Sequence, residues 1–202
     1  HTLLSNLNLF FLKELTRRIE KKGVLGDFVE CGVYRGGSAG LLAYEASQSR
    51  YKRNVWLYDA FQGMPKAHAT NDDDYSKSIE GNFIGSEAQT LRILHRLSIP
   101  NDQFKIIKGW FKDTLPNAQK TPIALLHIDC DFYDPVKQVL ETFYDSVVPG
   151  GYVILNDYGS FQGCQLATDE FMAKLEDKAA LIQIDQDAYF FQKPNKSQLS
   201  QD

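Results

Sequence analysis

The stretch IALLHIDCDFYDPVKQVLETFYDSVVPGGYVILND, residues 123–157, carries the reading of the fold. It opens with IALLHID, a nearly continuous apolar run with the length of a strand buried on both faces. Asp134 is then a natural N-cap, and Pro135 suits the first helical position. Val136, Val139, Leu140, Phe143, Tyr144 and Val147 mark one face of the helix that follows, and Pro149-Gly150-Gly151 ends it. YVILND, residues 152–157, returns as a second buried strand. Two parallel strands cannot be joined by a tight hairpin, so strand, amphipathic helix, strand is the unit of a parallel sheet.

The same alternation extends outward in both directions. Leu7, Phe11, Leu15 and Ile19 recur at helical spacing, predicting a helix over 5–21 that Gly23 and Gly26 stop. DFVECGV (27–33) reads as a strand that turns through YRGGSAG into a helix reaching about residue 50. NVWLYD (54–59) and FKIIKGW (104–110) are further strands. Beyond residue 157, a helix over about 164–177 precedes ALIQID and AYFFQK, two short strands flanking the turn Asp185-Gln186-Asp187. The pattern predicts an α/β fold: a Rossmann-like, doubly wound, mostly parallel seven-stranded sheet with an antiparallel C-terminal hairpin strand. One domain over 1–193 and a polar tail or linker over 194–202 account for the chain.

Segment 62–85 breaks the alternation and precedes the helix-opening box Ser86-Glu87-Ala88-Gln89. An aperiodic connection of that length predicts a lid over the end of the second strand. Its run Asp72-Asp73-Asp74 reads as a solvated loop face.

With 43% hydrophobic and 24% charged residues, the chain has the composition of a folded domain that needs no metal or disulfide staple. Its net charge is −4, and no Lys/Arg run exceeds the pairs Arg17-Arg18 and Lys21-Lys22, which argues against a nucleic-acid groove. No apolar run approaches the roughly 18 residues of a membrane span, and the start lacks a signal-peptide pattern. Cys31, Cys130 and Cys164 form an odd set without a CxxC, predicting reduced thiols and a cytoplasmic location. The opening at His1 reads as a fragment or excised domain with a tag remnant.

In such sheets ligands bind beyond the carboxyl ends of the strands, so those ends hold the candidate chemistry. ECGVYRGG, residues 30–37, is a glycine turn between strand and helix, but its spacing is not the G-x-G-x-x-G of a pyrophosphate site. Glu30 in that turn would repel phosphates and suits a cationic or hydroxyl-bearing ligand. Asp59 ends the second strand, where a carboxylate can accept both ribose hydroxyls of a nucleoside. A glycine turn and a strand-end acid without a phosphate fingerprint point to S-adenosylmethionine. Asp129 and Asp131 follow the fourth strand, and Asn156 and Asp157 the fifth. Adjacent strands lie about 4.8 Å apart, which brings these oxygens together into a hard-ligand site suited to Mg2+. His127, two residues before Asp129, reads as a packed strand histidine with a supporting role for Asp129 as the alternative.

VECGVYRGGSA, LYDAFQGMP, KGWFKDTLP, LLHIDCDFY and PGGYVILNDYG, in that order over about 27–160, resemble the macrocin O-methyltransferase (TylF-type) family. The resemblance implies a class I methyltransferase fold, S-adenosylmethionine, and Mg2+-assisted transfer to a hydroxyl of a natural-product acceptor. It places Glu30, Gly32, Tyr34, Gly36, Gly37 and Ser38 at the methionine end of the cofactor, and Asp59, Ala60 and Phe61 at the ribose. Gly109, Trp110 and Phe111 would lie near the adenine, with ordinary core packing as the alternative for both aromatics. Asp129, Asn156 and Asp157 would hold the metal, and Asp131 would act as the general base beside Asp129. The family pattern has Asp-Asp where this chain has Asn156-Asp157, which lowers the charge of the site by one. A nicotinamide oxidoreductase and a cofactor-binding module without turnover are the rival readings. The acceptor stays open between a free small molecule and a carrier-tethered chain, as does assembly into a homo-oligomer.

Overall fold

The computed structural model describes residues 1–176 and 179–195. Helix α1 (Asn6–Lys22) starts where the Ser5 hydroxyl accepts the Asn8 N–H at 3.1 Å, and it ends at Gly23, whose φ is 68°. Strand β1 (Asp27–Cys31) leads through the glycine turn to α2 (Gly37–Ser47), and β2 (Val55–Asp59) follows. The expected lid holds a short helix, α3 (Asp74–Ser78), before α4 (Glu87–Arg96), where Ser86 accepts the Gln89 N–H as the box requires. Next come β3 (Phe104–Lys108), α5 (Phe111–Thr114), β4 (Ile123–Ile128), α6 (Tyr133–Phe143) and β5 (Val147–Leu155). The chain closes with α7 (Gln162–Ala173), β6 (Ile182–Gln183) and β7 (Tyr189–Gln192).

The seven strands form one sheet in the order β3-β2-β1-β4-β5-β7-β6. The first five run parallel; β7 lies antiparallel to β5, and β6 antiparallel to β7. Successive strand residues feed opposite cores, because side chains alternate along a strand. Phe28, Leu57, Leu125 and Ile154 pack with α1, α2 and α4, whereas Val29, Tyr58, Leu126 and Val153 pack with α6 and α7. Each fully buried Leu, Ile, Val or Phe stabilises by about 1.5–3 kcal/mol, so two such layers hold the sheet without a covalent staple. All three cysteines are free and buried, and burial pushes their thiols up. Among the described residues, no helix is long and apolar enough to cross a membrane.

Several boundaries differ from the sequence reading. Strand β5 begins at Val147, because Val147 pairs with Ile123 before a register irregularity shifts the ladder; the helix before it stops at Phe143. Helix α6 begins at Tyr133, so Asp134 lies in its first turn rather than capping it, and the Tyr133 N–H is accepted by Asp72 from the lid at 2.9 Å. Asp72 also accepts the His68 N–H at 2.7 Å and is buried, and Asp73 caps α3, so within the acidic run Asp74 alone keeps a fully exposed side chain. Helix α7 spans Gln162–Ala173, earlier at both ends than the expected 164–177, and residues 174–176 lie outside it; residues 177–178 and 196–202, which hold the last expected helical position and most of the tail, lie outside the described residues.

Candidate active site

The parallel ladder continues one residue past the strand ends. Gly109 N–H donates to Asp59 C=O, Gly32 N–H to Tyr58 C=O, Asp129 N–H to Cys31 C=O and Asn156 N–H to Ile128 C=O, each at 2.9 Å. Gly109, Asp59, Gly32, Asp129 and Asn156 therefore stand in one row along the upper edge of the sheet. A Cβ on Gly32 would sit 1.6 Å from the Asp129 carbonyl oxygen, so glycine there is what lets the two loops touch.

Above this row lies a cleft of about 780 Å³. Its wall includes Gly32, Tyr34, Ser38, Asp59, Ala60, Trp110, Phe111, Asp129, Asp131, Asn156 and Asp157 among the residues singled out in the sequence. Glu30, Gly36, Gly37, Phe61 and Gly109 do not line it. Glu30 is fully buried; its Oε1 is paired with His127 Nδ1 at 2.9 Å, and its Oε2 has no hydrogen-bond partner among the described residues. Burial opposes charge on His127, but the hydrogen bond and charge of Glu30 and the charge of Asp129 outweigh it and raise its pKa. Gly36 and Gly37 shape the entry to α2, and the Gly37 N–H donates to the His1 carbonyl.

Asp59 is more occupied than the sequence suggests. Its Oδ2 accepts the N–H groups of Val33 (2.6 Å) and Tyr34 (2.8 Å), and its Oδ1 that of Phe61 (2.5 Å). A carboxylate offers about four acceptor positions, so about one remains for a ligand hydroxyl instead of the two expected. The same bonds hold Tyr34 (φ 52°) and Phe61 (φ 54°) in the left-handed region, which is costly for residues with a Cβ.

Around the other half of the row the charges crowd. Asp131 has φ 58°, and across it the Phe132 N–H donates to the Cys130 carbonyl at 2.6 Å, the pattern of a γ-turn. The Asp131 N–H donates to Asp157 Oδ2 at 3.2 Å, which ties this strained turn to the end of β5. Asn156 Nδ2 donates to Asp129 Oδ1 at 3.1 Å and to Asp157 Oδ1 at 3.2 Å. Burial and the nearby acids push Asp129 up to about 6, and burial with Asp129 pushes Asp131 up to about 8. Asp157 is raised as well, by burial and then by Asp131 and Asp129. Three carboxylates thus face one another with a neutral amide between two of them.

Among the described residues, no group of three His, Cys, Asp or Glu side chains is arranged to hold a metal ion. The candidate set has two carboxylates and an amide, and the amide now presents its N–H side. The donor chemistry nonetheless fits a hard divalent cation. Asp129 and Asp157 converge on one point and carry like charges whose repulsion a cation would relieve.

One part of the wall was not found from the sequence. Thr2, Leu3, Leu4, Ser5 and Asn8 line the cleft, with Ser5 Oγ donating to Asp185 Oδ2 at 2.7 Å and Asn8 Nδ2 to Asn156 Oδ1 at 3.1 Å. Met64, Pro65, Tyr75 and Phe83 of the lid line it too, as its placement over β2 led one to expect. The first group left no local signal, since Asn8 is simply a polar residue in an amphipathic helix.

A row of strand-end acids, a glycine turn and this strand order define a class I, Rossmann-like methyltransferase fold. The macrocin-O-methyltransferase (TylF) family model matches residues 1–193. Demethyldecarbamoylnovobiocin O-methyltransferase of Streptomyces niveus is 33% identical, over 96% of this chain and 76% of that protein. The 8-demethyl-8-(2,3-dimethoxy-alpha-L-rhamnosyl)-tetracenomycin-C 4'-O-methyltransferase of Streptomyces olivaceus is 30% identical, over 95% and 75%. The solved structure of the O-methyltransferase NovP superposes with a TM-score of 0.88 at 32% identity, covering 96% of this chain and 83% of that one. The chain belongs to the macrocin-O-methyltransferase (TylF) family, and it is an O-methyltransferase.

Proposed function

We propose that the cleft binds S-adenosylmethionine and a divalent cation such as Mg2+, and that the enzyme methylates a hydroxyl on the sugar of a small natural-product acceptor. When bound, the first supplies the methyl group, and the second makes an acceptor hydroxyl more acidic. The carrying observation is the convergence of Asp129, Asp131, Asn156 and Asp157 at two adjacent strand ends on one wall of the cleft. The sugar acceptor rests on the relative named for a rhamnosyl tetracenomycin.

The residues divide the work along the row. Asp59 fixes the Val33–Tyr34 turn and keeps about one acceptor position for a ribose hydroxyl, with Trp110 and Phe111 beside it for the adenine. Asp129, Asp157 and the carbonyl of Asn156 hold the cation. Asp131, pushed up to about 8 and facing the cleft, takes the proton from the acceptor hydroxyl. Holding acceptor and donor in line is the larger contribution, since orientation is worth about 7–11 kcal/mol in favourable cases.

Calorimetric titration with S-adenosylmethionine, with and without Mg2+, tests this assignment. Binding that Mg2+ modulates is the expected result. No binding overturns the reading, and binding indifferent to Mg2+ leaves a cofactor-binding module or a metal-independent enzyme in its place.

A further inference from the structure

Asn8 is 6% exposed, and its Oδ1 is buried without a hydrogen-bond partner, although its Nδ2 donates to Asn156 Oδ1 at 3.1 Å. Asn156 in turn aims its Nδ2 at Asp129 and Asp157. A cation held between those carboxylates needs an oxygen from Asn156, because an amide N–H is a donor and cannot ligate. A half-turn of the Asn156 amide brings that oxygen round, but it also points Nδ2 at the Nδ2 of Asn8. Two donors then face each other unless Asn8 turns as well. The unused Oδ1 of Asn8 is the atom that can take over as acceptor, and the bond between the two amides survives with its direction reversed.

We infer that Asn8 is a positioning residue for the cation site: the Asn8–Asn156 amide pair turns as a unit, so that Asn156 presents its carbonyl oxygen to a divalent cation without losing its anchor on α1. The inference rests on the cation site proposed above. It also gives the chain a way to use asparagine where its family pattern has aspartate, whose two oxygens would accept from Asn8 and ligate at once with no rotation.

The test is the affinity for Mn2+, read by electron paramagnetic resonance on the whole chain, with melting curves to confirm folding. In Asn8→Asp the new carboxylate can only accept, so it locks Asn156 with its carbonyl toward Asp129 and Asp157. Mn2+ binding should tighten by about fivefold, the weight of one hydrogen bond. In an Asn156→Asp background the same Asn8→Asp change removes the donor and adds a like charge beside it, and binding should weaken by a similar factor. This reversal of sign separates orientation from a general electrostatic pull, which tightens binding in both backgrounds and would overturn the inference. Unchanged affinity in both backgrounds overturns it too. If the unaltered chain binds S-adenosylmethionine but no Mn2+, the cation site itself is wrong and the inference falls with it. Side-chain amide resonances of Asn8 and Asn156 need no variant: both should shift together on adding Mg2+, and a shift of Asn156 alone contradicts the coupled turn.

Discussion

Asp59 ends β2 and Asp131 lies just past the end of β4, and their surroundings treat the two carboxyls in opposite ways. Burial and then the neighbouring Asp129 oppose charge on Asp131, so its carboxyl is pushed up to about 8, where it can exchange protons near neutrality. Asp131→Asn should lower turnover by about 10²–10⁴-fold while cofactor and cation affinities stay close to those of the unaltered enzyme. Metal titration of the variant checks this: if lost activity returns at high Mg2+, Asp131 is a ligand and the base lies elsewhere. Asp59 is the reverse case, its carboxylate committed to the amides of Val33, Tyr34 and Phe61. Asp59→Ala should therefore cost about 1–3 kcal/mol of stability even without ligand, because partly buried N–H groups lose their acceptor. Denaturant unfolding of the ligand-free variant measures it, and unchanged stability would show that the clamp carries no weight. The two positions were legible in the sequence, since Asp59 closes one apolar run and Asp131 lies just past another, which Asp129 closes. Their roles were not, because a bond from Asp59 to residues 26 and 25 positions earlier exists only once β1 and β2 are in register.

At the scale of elements, segment 62–85 meets the wall that carries Asp131 through Asp72, beside ring contacts of His68 with Tyr133 and of Tyr75 with Phe161. Asp72 accepts from His68 within the lid and from Tyr133 at the start of α6, two residues beyond Asp131. Burial raises its pKa, although the two amides work the other way. A Cβ on Gly163 at the start of α7 would lie 1.7 Å from Asp72 Oδ1, so lid, α6 and α7 meet at this point. Asp72→Ala should loosen residues 62–85, seen as faster amide exchange and proteolysis there with little change in the sheet. Equal protection in variant and parent would show that the lid is held by its apolar contacts instead. The sequence displayed the lid through its missing periodicity and α4 through its capping box. It could not display the latch, because a carboxylate capping a helix 61 residues away has no local pattern. The start of β5 was hidden for a similar reason. Pro149-Gly150-Gly151 has the chemistry of a helix stop, and pairing with β4 overrides it.

For the molecule as a whole, the strand alternation carried the fold, because buried parallel strands and amphipathic crossovers are both written in hydrophobic spacing. The closure of the cleft by residues 2–8 was not, since which helix covers which strand end depends on packing between distant segments. The gathered acids also set how stability depends on pH. Asp129 and Asp131 have folded pKa values of about 6 and about 8, above the ordinary 3.8, so between those values the folded state binds more protons than the unfolded one. Their cost is absent below about pH 4, grows as pH rises, and is complete above about pH 8. Asp131→Asn should accordingly melt higher than the parent at pH 8 and alike at pH 4; equal melting at both contradicts the charge conflict. The most direct test of the central claim is methyl transfer from labelled S-adenosylmethionine to a panel of glycosides, with Mg2+ and with a chelator. The account predicts label on a sugar hydroxyl with Mg2+, lost on chelation and in Asp157→Ala while cofactor binding persists. Transfer that proceeds undiminished in the chelator would contradict it.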